Sequence, residues 1–181
     1  MEPVLFADTA TFEAWLEQHH GESGEIWILV GKKGSGVASL TVTEALDAAL
    51  CYGWIDGQRK GFDERHFLQR YVPRRPRSTW SQVNVAKVEA LTAVGRMRPA
   101  GLAEVARARA DGRWAAAYPS QRTATVPPDL AEALAGAPLA RAAFDALPGT
   151  ERYGLILHLV KLRTAAGRAA RVKAIVERLG P

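Results

Sequence analysis

Between Cys51 and Asn84 the chain gathers most of the side chains that can do chemistry. Asp56 lies between Ile55 and Gly57, and a carboxylate set among apolar neighbours can titrate high enough to act as an acid or base. A structural role competes with that one and is favoured: an ion pair with Arg70 or Arg74, or a turn aspartate bonded to its own backbone. Arg70, Arg74, Arg75 and Arg77 follow, interleaved with Tyr71 and Trp80. Guanidinium forks bind phosphate and carboxylate with paired hydrogen bonds, and flat aromatic faces stack on bases. The equally weighted alternative puts Trp80 in the core, Ser81 at a helix start, and the arginines in solvent or paired with Asp63 and Glu64. Ser78 and Ser81 near a helix N-terminus invite a nucleophile reading. No G-x-S-x-G elbow is present, however, and His66 and His158 have no pattern linking them to a serine.

Taken together these residues define a basic–aromatic site. Arg70 and Arg74 hold an anionic group, Asp56 orients an arginine, and Trp54 and Trp80 form the wall. Ser81 and Asn84 complete a polar rim to which Arg75 and Ser78 belong. The expected partner is a small anionic ligand or a protein, which makes the chain a non-enzymatic binding or stress-protection protein. Nucleic acid bound through the cluster Arg70–Arg77 is the second reading. A hydrolase or transferase built around Asp56 and Ser81 is the third, so catalysis stays open. No cofactor and no metal are expected: His19 and His20 are adjacent on a helix and point about 100° apart. The loop Gly31–Gly36 carries Lys32 and Lys33 among glycines, but its spacing is not that of a phosphate-cradling G-x-x-x-x-G-K-[ST] loop.

The composition is that of a folded soluble protein, with 181 residues, 48% hydrophobic and 24% charged. Twenty-four basic against 19 acidic residues leave a net charge of +5, which fits anionic partners and equally fits a general Ala- and Arg-rich sequence bias. Cys51 is the only cysteine, so no internal disulfide forms and a reducing compartment is expected. Its place at the end of an apolar helix makes it a small hydrophobe. The N-terminus lacks a signal-peptide order, and no run reaches the roughly 20 apolar residues of a membrane span. The expected location is cytoplasmic.

The elements that must position these residues are legible from pattern. Val4–Ala7 is an edge strand; Asp8 caps a helix carrying Phe12, Trp15 and Leu16, which Gly21 ends in a left-handed conformation. Glu25–Val30 is a buried strand, and Thr41 with Glu44 forms a capping box for a helix ending near Gly53. Strands follow at Trp54–Gly57 and Glu64–Val72, the second halted by Pro73 and Pro76. Ser78 or Ser81 starts a helix ended by Gly95, and Pro99 opens another that stops at Gly112. Residues 120–128 read as a linker before three alanine-rich helices at 128–135, 138–147 and 151–178, the last broken near Thr164 or Gly167. The fold class is α+β, with a small antiparallel or mixed sheet and helices on one face. A core domain spans 1–119, and an all-helical portion, 120–181, packs on it.

With these residues in view the sequence resembles the YdeI/OmpD-associated family of bacterial proteins. The pieces that carry the resemblance are EALDAALCYGWIDG from Glu44, PRRPRSTWSQVN from Pro73, GRMRPAGL from Gly95 and DGRWAAAY from Asp111, in the family's order. The resemblance implies a small cytoplasmic protein, sometimes associated with bacteriocin protection or with an outer-membrane porin, and it implies no established reaction. Members usually show a stretch like AKRPETR near the last helix. Here Leu162–Arg168 reads LRTAAGR, without the proline and the acid, while Arg168 and Arg171 keep basic positions.

Overall fold

The computed structural model describes residues 2–180. The chain forms two compact units: one holds the chain up to Ser78 together with Asn84–Ala116, the other Thr79–Val83 and everything from Ala117 on.

The first unit is built on a four-stranded mixed sheet of β1 (Val4–Leu5), β2 (Ile26–Gly31), β3 (Trp54–Gly61) and β4 (His66–Pro73), in the order β1-β2-β4-β3. β1 runs parallel to β2, and the other two pairs are antiparallel. Period-two alternation on β2 buries Ile26, Ile28 and Val30 and leaves Trp27 and Leu29 half-buried. Directly paired residues share a face, so the register sorts the other strands as well. Tyr71 and Gln69 of β4 fall on the inner face with their β3 partners Asp56 and Arg59, and Trp54 pairs with Pro73 there. Ile55, Lys60, Leu68, Arg70 and Val72 fall on the outer face with Trp27. β3 runs four residues beyond the expected Gly57, because a bulge between Asp56 and Arg59 lets it stay paired as a hairpin.

The helices of this unit are α1 (Thr9–His19), α2 (Val42–Cys51), most of α3 (Gln82–Ala93), and α4 (Pro99–Ala110). Asp8 accepts a hydrogen bond from the Thr11 amide at 2.8 Å, and Thr41 and Glu44 form the reciprocal capping box. Gly21 is not left-handed; α1 closes instead through His20 N–H to Leu16 O and a turn bonded from Ser23 N–H to His19 O. Gly95 and Gly112 do end their helices at φ 69° and 77°. The core is an aromatic cluster: Phe12 lies 5.0 Å from Phe6 and 5.7 Å from Tyr71, and Trp15 meets Trp54 edge-on at 5.9 Å. α4 crosses the end of α2 at Gly101, where an added Cβ would sit 2.2 Å from the Cys51 carbonyl oxygen. Only glycine allows that approach.

The second unit is all-helical: α5 (Pro128–Ala135), α6 (Pro138–Ala146), α7 (Gly149–Val160) and α8 (Ala165–Leu179). Prolines open α5 and α6 at the first turn, where the missing N–H costs nothing. The break expected near Thr164 is real: Thr164 caps α8 by accepting from the Gly167 amide. Leu130, Leu134, Phe144, Leu155, Ile156, Leu159, Val172 and Ile175 form its core. The architecture is α+β with a helical C-terminal portion. Among the described residues no helix is long and apolar enough to cross a membrane.

Candidate functional site

Trp54 is buried in the core, and its indole N–H donates to His20 O at 3.1 Å. Asp56 is exposed beside Tyr71 and does not orient Arg70. Arg70 takes its carboxylate from Glu25, reached across the outer face. Its guanidinium lies 6.0 Å from the centre of the Trp27 ring, and its Nε is buried without a hydrogen-bond partner. Arg74 is 8% exposed, with its amide bonded to Gly53 O at 3.0 Å, while Arg75 and Arg77 project into solvent. Ser78 lends its carbonyl to Arg113 at 3.1 Å. Asn84 is half-buried on α3. Trp80 and Ser81 belong to the second unit, where Trp80 is buried and the backbone of residues 80–82 pairs with Tyr118.

Two arrangements were not visible in the sequence. The first is an ionic cluster inside the first unit. Glu104 and Arg113, 2% and 4% exposed, meet at 2.9 Å; Asp111 adds a bond to Arg113 at 2.7 Å and Arg107 one to Glu104 at 2.9 Å. Burial opposes the Arg113 charge, but the hydrogen bonds it donates to Glu104 and Asp111 outweigh that and raise the guanidinium above its ordinary value. The one signal was Glu104 itself, an acid set between the apolar Leu102 and Val105 of α4.

The second arrangement is on the outer face of the sheet. The Lys60 ammonium sits 4.8 Å from the centre of the Trp27 ring, over which Arg70 also lies. A cavity of about 160 Å³ opens there between Pro3, Trp27, Lys60 and Leu68. That is below the roughly 300 Å³ at which metabolite pockets begin, and suits a single phosphate or carboxylate group.

Cys51 and the His66–Asp63 pair have structural surroundings. Burial pushes the Cys51 thiol up to about 11. Asp63 accepts from the amides of Arg65 and His66 as well as facing the His66 ring at 2.9 Å, so the His66–Asp63 pair shapes a turn. Among the described residues no group of three or more His, Cys, Asp or Glu is placed to hold a metal ion. In the second unit a shallow apolar cleft of about 550 Å³ runs between α5 and α8 past Ala133, Ala169, Val172 and Val176, beside the Arg168–Asp129 ion pair.

Searches of the curated proteins and of the solved structures found no match. Two family models match. Residues 123–180 match the family described as Bacteriocin-protection, YdeI or OmpD-Associated. That is the family the sequence resembles, but the match lies on the C-terminal helices, including the LRTAAGR segment, and not on the pieces between Glu44 and Tyr118. Three of those pieces fall instead within residues 4–104, which match a domain of unknown function (DUF8412). That match spans more than half of the chain: the chain belongs to the DUF8412 family, and its residues 123–180 carry the bacteriocin-protection, YdeI or OmpD-associated segment.

Proposed function

We propose that the protein is a non-enzymatic binding protein, serving the kind of protection named in its C-terminal family, and that it holds an anionic group on the outer face of its sheet. The observation that carries this reading is the Trp27 ring with Lys60 and Arg70 over it, at 4.8 and 6.0 Å, beside a cavity of one anion's size. The ring quadrupole holds both cations in place. A pre-set pair of cations binds an anion without the entropy cost of ordering long side chains. Glu25 neutralises Arg70 in part, so the site carries about one net positive charge and suits a monoanionic carboxylate or a phosphate ester. Of the residues expected to bind, this reading uses Arg70.

Calorimetric titration of the full chain with inorganic phosphate and with acetate tests the reading. Binding should weaken at least tenfold in Lys60→Ala and in Arg70→Ala, and be unchanged in Lys173→Ala on α8. Equal binding by all four proteins would overturn it.

A further inference from the structure

We infer that the tip of the β3–β4 hairpin is a docking surface for an anionic phospholipid membrane. This goes beyond the anion site and uses different residues. The register brings the C-terminal end of β2, the end of β3 and the start of β4 to one edge of the sheet, with Gly31 opposite His66 and Gly61 opposite Phe67. Lys32, Lys33, Arg59 and Arg65 gather at that edge, all exposed. Asp63 and Glu64 are the acids beside them, and the Asp63 carboxylate is engaged by the Arg65 and His66 amides. At the apex stands Phe62, 54% exposed, the one aromatic among the large hydrophobics left exposed in the described residues.

The apex is pre-ordered. Lys32 donates its backbone N–H to Arg65 O at 2.8 Å and its ammonium to Asp63 O at 2.7 Å, and Arg65 reaches Ser35 O at 3.2 Å. Two loops are thereby fastened together beside the exposed Phe62. That is the arrangement an acyl–headgroup boundary accepts: the ring enters the interface while lysines and arginines meet lipid phosphates.

Charge complementarity alone would also suit a nucleic-acid strand. A strand needs open aromatic faces for successive bases. Here the Phe67 face is covered by the Arg59 guanidinium at 4.6 Å and the Trp27 face by Lys60 at 4.8 Å, which leaves Phe62 alone. One exposed apical ring on an edge that carries exposed cations fits a lipid surface better.

The test is co-sedimentation of the full chain with vesicles of phosphatidylcholine, with and without one quarter phosphatidylserine, at low and at physiological salt. Binding is expected only to the anionic vesicles and should weaken with salt. Lys33→Glu should lower it fivefold or more, since one cation near an anionic surface is worth roughly that factor. Phe62→Ala should lower it by a similar factor. Both side chains are exposed, so unchanged melting curves will show that the variants fold. Lys173→Ala on α8, outside both the hairpin and the anion site, should bind vesicles within twofold of wild type. Absence of wild-type binding to anionic vesicles overturns the inference, as does binding that Phe62→Ala and Lys33→Glu leave intact. So does short single-stranded DNA that binds in a Phe62-dependent way while vesicles do not.

Discussion

Replacing Gly101 by alanine tests the packing of the first unit at its tightest point. The new Cβ would lie 2.2 Å from Cys51 O, 2.7 Å from the Cys51 carbonyl carbon and 2.9 Å from Leu50 O, all backbone atoms that cannot rotate away. α2 and α4 must separate by more than 1 Å, a core strain of about 3 kcal/mol. The hydrogen bond from Arg98 N–H to Cys51 O, 3.1 Å long, is weakened by the same movement, costing about 1 kcal/mol more. Alanine's better helix propensity returns about 1 kcal/mol. The net loss is about 3 kcal/mol, a drop of roughly 1–2 M in urea midpoint at an ordinary slope. Gly154→Ala in α7 is the matched control, because nothing lies within 4 Å of its added Cβ and only the propensity gain remains. Urea unfolding followed by far-ultraviolet circular dichroism reads both variants. Opposite signs are expected; a Gly101→Ala protein as stable as wild type would refute the close crossing of α2 and α4.

Other consequences follow from the buried and paired groups. Arg113→Met strands Glu104 with Arg107 as its remaining partner, and should cost about 3 kcal/mol in chemical denaturation, much of it recovered when Glu104→Leu is added. Cys51, 1% exposed and pushed up to about 11, should resist iodoacetamide at pH 8, where roughly one thiol in a thousand is ionised, and react fully in denaturant. Hydrogen bonds from Arg168 hold the Asp129 carboxyl below its ordinary 3.8. Its contribution is therefore complete above that value and lost as pH falls through the lower folded value. Asp129→Asn should flatten acid unfolding of the second unit below about pH 4, as read by circular dichroism.

What was legible in the sequence was mostly local. The Thr41–Glu44 box, the Gly95 and Gly112 helix ends, Pro99 at a first turn and the Thr164 break each depend on residues within one turn of the chain. The candidate site depended on pairings set by register and crossing, and there type and spacing misled. Trp54 reads as a wall of the site until the inner face of β3 shows it in the core. Arg70 has nearby acids at Asp56 and Asp63, yet it pairs with Glu25, brought close because Arg70 stands opposite Trp27 on β2. Trp27 and Lys60 went unnoticed because one read as a buried strand residue and the other fell beyond the expected end of β3. Gly101 was visible only as part of a motif; its necessity comes from a carbonyl 50 residues earlier.

The proposed anion site lies beside Trp27. The most direct measurement is a phosphate titration of the ¹⁵N-labelled chain, following the indole N–H signals of its five tryptophans. The Trp27 signal should move in a saturable way and stop moving in Lys60→Ala, while the Trp54 signal, tied to His20 O in the core, stays fixed. A Trp27 signal that does not move, or one that moves equally in Lys60→Ala, would contradict the account.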